Sequence, residues 1–149
     1  MKGLSLFEFL IVVSIIIIAA GIVLGPLADF YAATQLEGVA EEGLSLLLKA
    51  KAQTLSSQGG SRYGVHFETS RMVVFQGTVF TNGASGNEEV PIPSKVEIAS
   101  IIINGGGGDV IFKRLTGETD HYGAITFRLI TNPIKTRVIT IHPTGGITL

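Results

Sequence analysis

Residues 1–27 read MKGLSLFEFLIVVSIIIIAAGIVLGPL. The apolar stretch from Leu4 to Leu27 approaches the roughly 20 residues that cross a hydrocarbon core. Between Phe9 and Leu24 only Ser14 and Gly21 interrupt it. Its many β-branched residues do not argue against a helix, because in lipid a lone segment satisfies its backbone only as a helix. Lys2 precedes the run, so the short leader is expected in the cytoplasm and the remainder outside it. One carboxylate, Glu8, lies near the start of the run. At the centre of a span such a group costs about 2.5–3.5 kcal/mol on insertion scales, and less near an end. Glu8 is therefore either an interfacial charge or a group with a task.

A secretory signal peptide fits this stretch poorly. The apolar run is too long, Ala19-Ala20 falls inside it, and Ile18 occupies a position where cleavage after Ala20 needs a small residue. A plain signal anchor accounts for the length and for Lys2 but leaves Glu8 unexplained.

Gly25-Pro26 weakens a helix, through a missing N–H donor and a clash with the preceding turn. The helix either ends there or is kinked, and a kink is preferred because helical patterning resumes at once. Leu36, Ala40, Gly43, Leu47 and Ala50 recur at spacings of four and three, forming one apolar face. Glu37, Glu41, Lys49, Lys51 and Gln53 fall elsewhere on the helix, and Ser56 to Gly60 supplies a stop. A helix from Leu4 to about Ser56 would be on the order of 80 Å long.

From Arg62 onward the period changes to two. Strands are expected at Tyr63–Phe67, Arg71–Gln76, Val96–Ile103, Asp109–Phe112, Ala124–Leu129, Thr136–Ile141 and Ile147–Thr148. Thr78–Phe80 is expected to extend the first pairing, and Val90–Pro93 to be an edge or a connection. The Gly105–Gly108 run reads as a flexible turn. The sum is an α+β chain: a leader at 1–3, a membrane or filament-core helix at 4–27, its amphipathic continuation at 28–58, and a small antiparallel β-rich domain at 59–149.

The segment Gly3-Leu4-Ser5-Leu6-Phe7-Glu8-Phe9-Leu10, followed directly by the aliphatic run, resembles the class III signal of type IV pilins and pseudopilins. The resemblance implies cleavage by prepilin peptidase between Gly3 and Leu4, and N-methylation of Leu4 where the family usually has Phe. It places Glu8 at the family's glutamate position, where it pairs with the new α-amino group of a neighbouring subunit during assembly. Gly25 and Pro26 resemble the element near which the family's helix loosens. The implied partners are the peptidase, other pilin or pseudopilin subunits, an inner-membrane assembly platform and the bacterial inner membrane. The implied location is single-pass in the inner membrane, then a pilus or periplasmic pseudopilus.

More loosely, YGVHFE, VVFQG, IFKRLTGE and ITIHPTGGI resemble H-type minor pseudopilins of type II secretion and FimT-type minor pilins. Some relatives bind DNA through C-terminal arginines. Here the tail is HPTGGITL, and no nucleic acid is expected as a partner. The alternative is an exported binding domain, an adhesin or DNA-capturing minor pilin, on an uncleaved anchor.

Composition narrows the chemistry further. The chain has 149 residues, net charge −1 and no cysteine, which removes disulfides, thiolate catalysis and Cys-based zinc sites. Glu118 and Asp120 are too sparse for the converging oxygens calcium needs. His66, His121 and His142 read as ordinary core or surface histidines, and no nucleophile elbow or P-loop is present. Arg62, Arg71, Lys113, Arg114, Arg128, Lys135 and Arg137 are dispersed along the sequence. No enzymatic activity, metal or cofactor is expected.

Overall fold

A computed structural model describes residues 5–56 and 60–149, with the backbone alone at 23–26. The fold is α+β. Helix α1 (Leu6–Leu55) is followed by β1 (Tyr63–Glu68), β2 (Arg71–Gln76), β3 (Glu88–Pro91), β4 (Val96–Ile103), β5 (Asp109–Ile111), β6 (Gly123–Leu129), β7 (Thr136–Ile141) and β8 (Ile147–Thr148). The chain divides into two compact units, Met1–Thr34 and Gln35–Leu149. Residues 25 and 26 are helical, so α1 does not end at the Gly-Pro pair.

In the second unit the strands form two four-stranded sheets, ordered β3-β2-β1-β5 and β4-β6-β7-β8. Hairpin β1–β2 closes from Tyr63↔Gln76 to Glu68↔Arg71, with Thr69 and Ser70 as its turn. The chain then adds β3 beside β2, crosses to the other sheet for β4, returns for β5 beside β1, and completes the second sheet. Pro91 pairs opposite Arg71 on the edge strand β3, where a residue without an N–H donor is tolerated.

The helical part of this unit buries Leu36, Val39, Ala40, Leu46, Leu47 and Ala50, the 3–4 spacing of one face. Each leucine so buried contributes about 1.5–3 kcal/mol of transfer free energy. Gly43 sets the distance of closest approach. A Cβ there would lie 3.1 Å from Ile139 Cδ1 and 3.2 Å from both Met72 Sδ and Phe127 Cζ. Met72 belongs to one sheet and Phe127 and Ile139 to the other, so this turn of α1 lies against both. At the helix end, the buried Thr54 Oγ1 donates to the Ala50 carbonyl (2.8 Å) and accepts the Tyr63 N–H (2.9 Å). The hydroxyl thereby fixes the first residue of β1 to the last turn of α1.

One expectation is corrected. Thr78–Phe80 does not extend the β1–β2 pairing: the Gly77 N–H still donates to the Arg62 carbonyl at 2.8 Å, and at Gly77, with φ 126°, the chain turns away. Phe80 folds back and stacks on the His66 ring, centroids 3.9 Å apart and 7° from parallel.

Candidate functional site

The first unit carries the apolar segment. From Leu6 to Ile22 the large side chains are mostly between 45% and 80% exposed, Leu6, Phe7 and Ile22 among the most open. Side chains that are apolar on every side of a helix suit lipid or an apolar bundle rather than water. Among the described residues, none of this apolar stretch is buried. This helix is long and apolar enough to cross a membrane near the N-terminus. Two of its hydroxyls are satisfied by the helix itself: Ser14 Oγ donates to the Leu10 carbonyl (2.7 Å) and Thr34 Oγ1 to the Phe30 carbonyl (3.0 Å). A hydroxyl bonded four residues back leaves no lone donor to be desolvated.

Glu8 lies in the first turn of α1. Its backbone N–H donates to Ser5 Oγ at 3.4 Å, and the Phe9 N–H donates to the Ser5 carbonyl at 3.1 Å. Ser5 is thus the N-cap and Glu8 the third helical residue, the spacing of a capping box. The Ser-x-x-Glu pattern was present in the sequence and is the signal for this cap. A carboxylate in a first helical turn gains about 0.3–1 kcal/mol from the backbone dipoles, which offsets part of the cost of its apolar surroundings. Gly3 and Leu4, the expected cleavage and methylation positions, lie outside the described residues. Gly25 and Pro26 lie in α1, and only their backbone is described.

The β-domain carries a separate polar cluster across β5, β1, β2 and β3. His66 Nδ1 is 2.5 Å from Asp109 Oδ1, and His66 Nε2 is 3.2 Å from Glu68 Oε1. Arg71 donates to both Glu68 oxygens, at 2.7 and 3.0 Å, and to both Glu89 oxygens, at 3.1 Å. Arg71 Nη2 also reaches Asn82 Oδ1 at 3.3 Å, while Phe80 covers His66. The groups face one another across four neighbouring strands and tie down the loop after β2. This makes the cluster a cross-strand clasp, consistent with a structural role for His66.

The clasp is pH-sensitive. Hydrogen bonding from Arg71 holds the Glu68 carboxyl below the usual glutamate range; desolvation opposes this, and the charges of Arg71 and His66 add to it. Because the folded value is depressed, the unfolded chain binds that proton more readily. The stabilisation is complete above the ordinary glutamate range and is lost as pH falls through the folded value. Asp120, paired with Lys113 at 2.7 Å, is depressed in the same sense. Denaturation midpoints between pH 7 and 3 should fall toward acid, and Arg71→Gln should flatten that fall. A pH dependence identical to wild type would contradict it.

Among the described residues, no group of three or more His, Cys, Asp or Glu is placed to hold a metal ion. No family model, curated protein or solved structure matches the chain.

Proposed function

We propose that this chain is a pilin-like structural subunit of a type IV pilus or a type II secretion pseudopilus. The observation that carries the proposal is the start of α1, from Leu6 to Ile22. It is apolar on every side and unburied, it follows the N-cap Ser5, and its one acidic residue is Glu8 in the first turn. In the proposed sequence of events the helix enters the inner membrane, prepilin peptidase cuts after Gly3, and Leu4 becomes the methylated first residue. Glycine suits the cut because a residue without Cβ lets a protease approach the backbone closely.

Cleavage supplies a cation that the uncut chain lacks at that position, the α-amino group of Leu4. In an apolar bundle an amine and a carboxylate are each costly alone and compensate each other as a pair. The pair can form only when the Leu4 amine of one copy lies beside Glu8 of another, so it specifies the axial offset of those two neighbours. Filaments sheared from cells that make this chain test the proposal. The chain should be recovered in them, and its amount relative to the other subunits distinguishes a major from a minor component. Its retention solely in the membrane fraction, under conditions where filaments form, would contradict assembly.

A further inference from the structure

Three loops of the β-domain converge at one end of the β3-β2-β1-β5 sheet. Arg62 immediately precedes β1, Thr78 follows β2, and Arg114 follows β5, three strands that lie side by side. Together they line a cleft of about 450 Å³, completed by Gly60, Ser61 and Gly77, and no carboxylate lines it among the described residues. A smaller recess of about 90 Å³ shares Arg62 and Thr78 with it and is also lined by Lys113, Asp120 and His121.

The charge distribution singles out this cleft. Of the five arginines, Arg71, Arg128 and Arg137 form salt bridges, with Glu68, Glu97 and Glu37. Arg62 and Arg114 form none among the described residues, and both line the same cleft. Like charges brought to one cleft repel, and an anion between them relieves the repulsion. Asp120, the acid of the adjoining recess, is bonded to Lys113 Nζ at 2.7 Å, and the charge of Arg62 acts on it from a longer range without a salt bridge. In that recess His121 Nδ1 is buried with no hydrogen-bond partner among the described residues.

We propose that this cleft binds an oxyanion of the phosphoryl class, held by the guanidiniums of Arg62 and Arg114 with the Thr78 hydroxyl as a further donor. The number of donors decides the class. A planar carboxylate is satisfied by one guanidinium fork, whereas two forks and a hydroxyl, carried by three separate loops, match a tetrahedral group with three or four acceptor oxygens. Two sources share this chemistry, phosphate free in solution and an anionic lipid headgroup, and they are separable by experiment.

The test uses the full chain, isotopically labelled and held in neutral detergent micelles, with sodium phosphate titrated at constant ionic strength against sodium chloride. Amide resonances of Arg62, Thr78 and Arg114 should shift saturably with phosphate and not with chloride. Arg62→Gln and Arg114→Gln should each weaken binding about tenfold or more, while Arg137→Gln, a paired arginine on β7, should leave it unchanged. A second arm places the chain in phosphatidylcholine nanodiscs with and without phosphatidylglycerol, in the absence of phosphate. Shifts at the same residues with phosphatidylglycerol identify a lipid source, and their absence there with saturation by phosphate identifies a soluble one. No saturable shift in either arm, or saturation untouched by both arginine variants, overturns the proposal.

Discussion

Glu8→Leu is expected to leave membrane insertion intact and to reduce recovery of the chain in sheared filaments by about tenfold or more. The two halves of this expectation have separate causes. Insertion improves, because leucine at such a position is favoured over a carboxylate by about 3 kcal/mol near the span centre and by less toward its end. Assembly suffers, because the Leu4 amine of the neighbouring copy is left unpaired in apolar surroundings. Removing one member of a desolvated pair costs about 3–5 kcal/mol, far more than the tenfold loss requires. The helix start should survive the change, since its cap comes from Ser5 Oγ and the Glu8 backbone N–H, not from the Glu8 side chain. Cell fractionation and immunodetection in sheared material separate the two outcomes. Unchanged recovery would remove the pairing role from Glu8 and leave it an interfacial charge.

The second large effect is expected at Gly145, far from the apolar N-terminal segment in sequence. Its φ is 76°, in the left-handed region that costs a residue with a Cβ about 1–2 kcal/mol. A Cβ there would also lie 1.9 Å from the Gly117 carbonyl oxygen and 2.9 Å from its carbon. These are backbone atoms, so no rotamer change relieves the overlap and one of the two turns must move. Both turns are held. Lys51 Nζ on α1 donates to the Gly145 carbonyl at 2.9 Å, the Gly145 N–H donates to the His142 carbonyl at 2.9 Å, and the Gly117 N–H donates to the Lys113 carbonyl at 3.0 Å. Gly145→Ala is therefore expected to destabilise the β-domain by about 3–5 kcal/mol, or on the order of 10–20 °C in Tm. Gly60→Ala provides the comparison. Gly60 has a similar φ of 68° but nothing among the described residues within 4 Å of its Cβ position, so it should lose only the 1–2 kcal/mol of backbone strain. Equal losses at the two sites would show that the contact between the 117 and 145 turns is not what matters.

Local pattern carried much of this architecture. Strands β2, β4, β7 and β8 begin and end at the residues expected from the sequence. Their apolar alternation is closed by turn residues that read unambiguously, such as Pro143-Thr144-Gly145-Gly146 before β8. The helical face of Leu36, Ala40, Gly43, Leu47 and Ala50 was legible for the same reason, and all five are buried. What period and turn chemistry do not encode is which strands become neighbours. β5 pairs with β1, placing Asp109 opposite His66 across 43 residues of chain, and nothing local announces it. The clasp and the arginine cleft both depend on that pairing. Arg62, Thr78 and Arg114 look dispersed in sequence and meet only because β2, β1 and β5 lie in that order. At the N-terminus the opposite holds. The Ser5–Glu8 cap is a local pattern, fully present in the sequence, and it adds a helix-starting role for Ser5 to the pairing role proposed for Glu8.

The central claim, that Leu4 is made the first residue and its amine becomes the partner of Glu8, is tested most directly by mass spectrometry of the mature N-terminus. Chain isolated from cells that contain prepilin peptidase should begin at Leu4 and carry one additional methyl group on its α-nitrogen. An intact leader beginning at Met1 in those cells would contradict the account and leave an exported domain on an uncleaved anchor.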